Sequence, residues 1–396
     1  MPRTLFQNMT LIDGSGNAPI HHASMLVADG VIQAIRHDPS VPAGYDELID
    51  LTGKYVVPGM IDCHVHAGLD SELGCLERAS AASEAETVIT YINNLKKLVS
   101  DGVVFFREMG TKHHADIAIS QAIIRGDLIG PGILPCGDLL TITGGHCWGI
   151  GLQCDGATEV TKAVRAQIKA GARAIKLMAS GGLHTPRNRS NAPQFNPEEL
   201  TAGIREAHKF GLIVGAHCMD AASARYLLEA GIDSIEHGCF LCEDEDVFDL
   251  MITQGVYYVP TIYAVQVIAN DDPALGLSGE LLSKSIPAHS KHIASFQLAL
   301  KKGVKIAFGT DRGTTFNHFQ SGSVELLAMN RFGMSAADII TSYSKTASEL
   351  LRIDREYGTL EPHKRANFLV ADKDPTEEIS VLTGTKQVYL NGFLVQ

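Results

Sequence analysis

Six residues in this chain have types and spacings suited to metal chemistry. His64 and His66 lie in the run GMIDCHVHAG, two positions apart. In an extended chain residues at that spacing point the same way. Two imidazoles on one side form a metal-binding pair, although such pairs are also common on surfaces. Lys176 sits inside the apolar run ARAIKLMASGG. A partly buried amine has a lowered pKa and is nucleophilic near neutral pH. It can add CO₂ and become a carbamate, which bridges two metals as a carboxylate would. A salt bridge to a neighbouring strand is the plainer role. His217 ends the run LIVGAHCMD, His237 ends DSIEHG, and Asp311 ends KIAFGTDRG. Each histidine taken singly is more often structural, and the aspartate more often a turn or helix cap. Together, four histidines, one lysine and one aspartate suit a pair of borderline divalent metals such as Zn²⁺.

The elements that would position these residues can be read from the apolar pattern. Between Pro58 and Tyr357 short apolar runs alternate with helical stretches, the mark of βα units. Strands are predicted at Met60–Cys63, Val103–Phe106, Gly132–Cys136, Ala174–Met178, Ile213–Ala216, Ser234–Glu236, Tyr257–Thr261 and Lys305–Phe308. Eight such units point to a closed (β/α)₈ barrel, in which the C-terminal ends of the strands face the active site. The six residues fall at five of those ends. Ser83-x-x-Glu86 and Asn196-Pro197 are helix-start signals. The stretches before Pro58 and after Gly358 read as short strands with hairpin turns at Asp29-Gly30 and Asn391-Gly392. The expected division is therefore a terminal domain of residues 1–57 plus 358–396 and a barrel of residues 58–357.

Bulk properties narrow the function classes. The 396 residues are 45% hydrophobic and 20% charged, with a formal net charge of −12. That balance offers no excess of Lys and Arg for nucleic acid. No apolar run reaches the roughly 20 residues of a membrane span, and the first residues lack a secretion-signal core, so a cytoplasmic location is the default expectation. The eight cysteines are then expected to be reduced thiols. Cys239-x-x-Cys242 lacks the second pair that a zinc knuckle needs.

With these residues in view, the chain resembles the amidohydrolase superfamily. VVPGMIDCHVH is similar to its strand-one signature, and GTLEPHKRANFLVADKDP followed by VYLNGFLV is similar to its C-terminal β-sandwich segment. The resemblance covers essentially the whole chain and implies a TIM barrel with a small β-sandwich built from both termini. It implies that His64, His66 and Asp311 hold one metal, that His217 and His237 hold a second, and that Lys176 is carboxylated and bridges them. It also implies a homo-oligomer. TITGGHCWGIG, CDG and KAVRAQIKAGARAIKLMASGG resemble the branch related to imidazolonepropionase. That branch contains Xaa-Pro dipeptidases, carboxypeptidases for basic C-terminal residues and ochratoxin-type amidases, which cleave an amide next to a free carboxylate. Two features depart from the pattern. The tail's usual glycine and aspartate stand here as His363 and Asn367, and the loop ASGGLHTPRNRSN carries its own His184, Arg187 and Arg189.

The expected reaction is hydrolysis of a dipeptide or N-acyl amino acid by a metal-bridging hydroxide, with Asp311 passing the proton to the leaving nitrogen. His146, in the run GGHCWG, is a candidate for hydrogen-bonding the substrate carbonyl or carboxylate. Arg187, Arg189 and Arg312 are candidates for carboxylate recognition, and Tyr263 for a hydrogen bond to substrate. Surface solvation for the arginines and packing for the tyrosine are the bland alternatives. A cyclic-amide or lactone hydrolase, or a deaminase, is the alternative chemistry, with Lys176 counting against the deaminase. A non-catalytic binding relative would be expected to have lost a ligand.

Overall fold

The dipeptides Asp29-Gly30 and Asn391-Gly392 each turn a hairpin with two residues at positive φ, 51° and 77° in the first and 50° and 79° in the second. This is the mirror-image turn whose twist matches that of paired strands. The structure is a computed structural model and describes residues 3–37, 44–270, 272–319 and 324–395. It divides into two compact units. One comprises Met1–Asp62, Lys96–Phe105 and Gln320–Gln396, and the other Cys63–Leu95 and Phe106–Phe319.

In the first unit, strands from both ends of the chain share one eight-stranded sheet. Its order runs Phe393–Leu394, Gln387–Leu390, Phe368–Ala371, Tyr55–Pro58, Thr4–Leu11, Ile20–Ala28 and Val31–Arg36, with Glu47–Asp50 also paired to Thr4–Leu11. Phe6 meets Phe368 and Tyr389 edge-on at 5.0 and 5.2 Å between ring centroids, so N- and C-terminal strands are fastened by one aromatic cluster. The two departures in the tail have a structural reading here. His363 has φ 74°, in the left-handed region where glycine carries no steric penalty. Asn367 accepts the Asn391 N–H at 2.7 Å through Oδ1, a bond for which a carboxylate oxygen serves equally well.

The parallel strands form two sheets. One has Met60–Val65, Val103–Glu108 and Gly132–Leu134 in that order. The other runs Leu152–Gln153, Leu140–Thr141, Ala174–Met178, Ile213–Cys218, Ser234–His237 and Tyr257–Val259. Helices alternate with these strands. Helix Pro197–Lys209 opens with a complete capping box in which Asn196 and Glu199 each accept the other's backbone N–H. Two differences from expectation stand out. The short strands Leu140–Thr141 and Leu152–Gln153 are too brief to show a pattern in sequence. The eighth segment, Lys305–Phe308, makes single bridges rather than a ladder, through Ile306 to Tyr258, and farther on through Arg312 to Val65. Its hydrogen bonds alternate between neighbours: Lys305 O and the Ala307 N–H pair with Tyr258, whereas Phe308 O accepts from Cys63. At the other edge, Pro135 O accepts the N–H groups of Arg173 and Ala174. Both sets of bonds run between the two parallel sheets.

Candidate active site

Parallel register brings the polar residues of neighbouring strands level. Lys176 pairs with Gly215, Met178 with His217, His217 with Glu236, and Cys218 with His237. Successive residues of a regular strand face opposite sides, so Glu236 and His237 should diverge. His237 has φ 66°, and this left-handed turn of the backbone allows both side chains to face inward. Asp311 (φ 59°) and Thr261 (φ 51°) share this uncommon conformation. Strained backbone of this kind clusters at functional sites.

One cavity is lined by His64, His66, Lys176, His217, His237 and Asp311, together with His146 and His184. The Asp311 carboxylate lies 3.3 Å from Nε2 of both His64 and His66. These three residues each offer a ligand atom within 4.8 Å of the others. Lys176 Nζ is 3.5 Å from His64 Nε2. The rings of His64 and His237 are 4.9 Å apart and those of His217 and His237 4.7 Å.

The outer ring nitrogens identify which atom each histidine presents. His64 Nδ1 is 2.8 Å from Glu236 Oε2, and a carboxylate only accepts, so the proton sits on Nδ1 and the Nε2 lone pair faces Asp311. His217 Nε2 donates to Gly181 O at 3.0 Å, which leaves Nδ1 as its ligand atom. His237 Nδ1 meets Thr261 Oγ1 at 2.7 Å and leaves Nε2 inward. Glu236 is itself held by Arg107, whose NH2 donates to Oε1 at 2.7 Å and whose Nε donates to Cys63 O. Gly215 makes room for that pair, since a Cβ there would come within 2.9 Å of both Arg107 NH1 and Glu236 Oε1.

Burial dominates the electrostatics. It drives the Lys176 ammonium down to about 8 and His217 down to about 3, and holds His64, His237 and His146 well below the ordinary imidazole range. His184 is lowered by the same cause. Neutral imidazoles and a partly neutral amine are the ionisation states that metal ligation and carbamate formation require. The donor set therefore fits divalent metal, with nitrogen and oxygen ligands and a carboxylate orienting one histidine from behind.

The remaining predicted residues divide. His146 is buried, its Nδ1 is 2.8 Å from Thr185 Oγ1, and its ring lies 4.5 Å from that of His217. A Cβ on Gly182 would overlap the His146 ring. His184 is also at the wall. Arg187 and Arg189 are exposed, Arg312 is wholly buried, and Tyr263 is half-buried; none of the four is among the described residues lining the cavity. Among the described residues Cys239 is a buried free thiol and Cys242 a half-buried one. Sequence reasoning missed Glu236, Arg107, Thr185 and Thr261. Arg107 did carry a signal, since an arginine closing the apolar run Val103–Phe106 calls for a buried partner as Lys176 does. Glu236 carried none, because strand alternation assigns it to the face opposite His237.

Residues 55–395 match the family model described as the amidohydrolase family. The chain is 29% identical to ochratoxinase of Aspergillus niger, over 96% of this chain and 83% of that protein. Among solved structures, it is similar to a Xaa-Pro dipeptidase with bound methionine in the active site, with 30% identity, complete coverage of both chains and a TM-score of 0.91. It is also similar to a prolidase complexed with N-methylphosphonate-L-proline, with 26% identity, coverage of 100% and 99%, and a TM-score of 0.90.

Proposed function

The chain belongs to the amidohydrolase family and is a hydrolase of carbon–nitrogen bonds; from that premise we propose that it cleaves the amide of a small substrate bearing a free carboxylate, a dipeptide or N-acyl amino acid, at a two-metal centre. The observation that carries this reading is the convergence of His64, His66, Lys176, His217, His237 and Asp311 on one cavity. The N-methylphosphonate-L-proline and methionine bound by two neighbours suggest the substrate class. The two sets of hydrogen bonds between the parallel sheets support a closed (β/α)₈ barrel of residues 58–357. Residues 1–57 and 358–396 would form the accompanying β-sandwich. A homo-oligomer is the assembly expected for such a chain.

In this reading His64, His66 and Asp311 would hold one ion, and His217 through Nδ1 and His237 through Nε2 would hold the other. Lys176, as a carbamate, would be available to both ions, and zinc is the metal that the donor set favours. The bound pair supplies Lewis acidity toward the amide carbonyl and acidifies water. The Asp311 carboxylate takes the proton of the attacking water and returns it to the leaving nitrogen. His146 Nε2 donates to the carbonyl oxygen, steadied from behind by Thr185. His146 and His184 are the wall residues available to the substrate. Arg187, Arg189, Tyr263 and Arg312 would take part only with a substrate that reaches past the lining.

One observation favours a second reading. No arginine is among the described lining residues, which suits a substrate without a carboxylate, such as a cyclic amide or lactone. The test is amine release by zinc- and bicarbonate-treated protein across dipeptides, N-acyl amino acids and their C-terminal amides, with acid release from lactones followed in parallel. Hydrolysis confined to free carboxylates supports the first reading. Equal hydrolysis of the amides, or turnover of lactones alone, overturns it. Asp311→Asn should abolish turnover while much of the metal stays bound.

A further inference from the structure

The catalytic cavity is small, about 50 Å³, which is room for a few water-sized spheres. A second cavity of about 260 Å³ adjoins it, and Leu76, Leu183 and His184 line both. Its wall is mainly apolar, with Leu73 and Leu281 lining it beside the shared leucines. Leu73 is 44% exposed although it stands on this wall. The charged lining residues apart from His184 are Glu77 and Glu280, and no Lys or Arg is among the described residues there. The wall is also built rather than loose. Glu280 accepts the Arg187 N–H at 2.8 Å and pairs with Lys284 at 2.7 Å, and Lys284 donates to Thr185 O at 3.1 Å.

We propose that this second cavity, which shares Leu76 and Leu183 with the catalytic one, is the binding subsite for a neutral apolar group carried several atoms from the scissile amide. The proposal rests on the amide-hydrolase reading above. Exposed leucines around a concave space gain by covering, with each buried methylene worth about a fourfold gain in binding. An anionic group gains nothing, because Glu77 repels it and no Lys or Arg among the described lining residues compensates.

The test uses the full-length metal-loaded protein with N-acetyl-, N-hexanoyl- and N-adipoyl-L-methionine, comparing kcat/KM. A second pair, N-acetyl-L-alanine and N-acetyl-2-aminooctanoate, places the apolar group on the amine side. The expected result is at least a tenfold advantage of hexanoyl over acetyl, or of aminooctanoate over alanine, with adipoyl no better than acetyl. Leu73→Trp should collapse that advantage to below about threefold by filling the space. Equal values along both pairs, or an advantage that survives Leu73→Trp, would overturn the proposal. Silence with every amide would instead sink the amide-hydrolase reading. The subsite would then be judged by calorimetric binding of N-hexanoyl- against N-acetyl-L-methionine to wild type and Leu73→Trp, where a preference lost in the variant supports it and equal binding refutes it.

Discussion

Glu236 Oε2 lies 2.8 Å from Nδ1 of His64, and neither side chain has any exposed surface. With Arg107 and Ser234 both donating to Oε1, the carboxylate has one oxygen left, and it fixes the proton of His64 on the far side from Asp311. Glu236→Gln would keep the oxygen toward Arg107 and present an amide N–H to Nδ1. The imidazole would then carry its proton on Nε2, where a metal needs the lone pair. The expected outcome is a 10- to 100-fold loss of affinity for the ion held with His66, the range typical when a ligand's supporting carboxylate is removed. Titration of metal-free protein with Co²⁺, followed by its visible absorption, measures this directly. Unchanged affinity would show that Glu236 serves only the packing of the interior.

Lys176 makes a prediction about the metal-free protein. Its ammonium is driven down to about 8, chiefly by burial. An unfolded lysine titrates near 10.4, so between about pH 8 and 10.4 the unfolded chain holds more protons than the folded one. The contribution of this group to stability therefore rises with pH across that window. Below it both states are charged, and the folded state bears the burial cost. The neutral amine, which adds CO₂, is the minor form at pH 7 and the major form at pH 9. Metal-free protein incubated with ¹³C-bicarbonate should show a carbamate resonance that grows over that interval and is absent in Lys176→Ala. A resonance in the alanine variant, or none in the wild type, would place the carbamate elsewhere or nowhere.

Thr185 accepts the Cys147 N–H at 3.0 Å and stands 2.8 Å from His146 Nδ1. In the proposed role of His146 the Thr185 O–H donates to Nδ1, which leaves the His146 proton on Nε2. Thr185→Val should lower kcat about tenfold, a modest share of what one donor to a developing oxyanion contributes. KM should change little, and Thr185→Ser should restore the rate. In a His146→Ala background the valine substitution should cost nothing more. An equal loss in both backgrounds would mean that Thr185 acts on the site by another route.

How much of this was legible beforehand follows from which residues announce themselves. His64, His66, His217 and Asp311 stand at the ends of apolar runs, and Lys176 interrupts one, so a period-two reading finds them. Their meeting in one cavity could be expected only from the order of the strands. His237 was visible as a type but not as a geometry, since its inward aim depends on a φ of 66° that strand alternation does not foresee, although Gly238 beside it, itself at φ 64°, marks a turn there. The arginines failed as cavity residues for a similar reason. Loop residues 184–189 have no periodicity, and the chain turns Arg187 and Arg189 outward while tying the loop back through Glu280. The hairpins were plain because Asp-Gly and Asn-Gly encode their own dihedrals.

Asp116 carries a last prediction, about stability rather than chemistry. Its Oδ2 accepts the N–H groups of Cys136 and Gly137 at 2.9 and 2.8 Å, pinning the chain just past strand Gly132–Leu134. Burial first, and the neighbouring Glu108 second, push its carboxyl up to about 7. An unfolded aspartate titrates near 3.9, so the folded state holds the extra proton between about pH 4 and 7. The group's contribution to stability is thus greatest below pH 4, falls as pH rises through about 7 and is constant above. Asp116→Asn keeps an oxygen for both N–H groups and never ionises. It should match wild type near pH 4.5 and exceed it by about 3 kcal/mol at pH 8, the order that a buried, raised carboxyl implies. Urea unfolding of the metal-free protein at the two pH values measures the difference. A gap that is the same at both would show that ionisation of Asp116 is not what the folded state opposes.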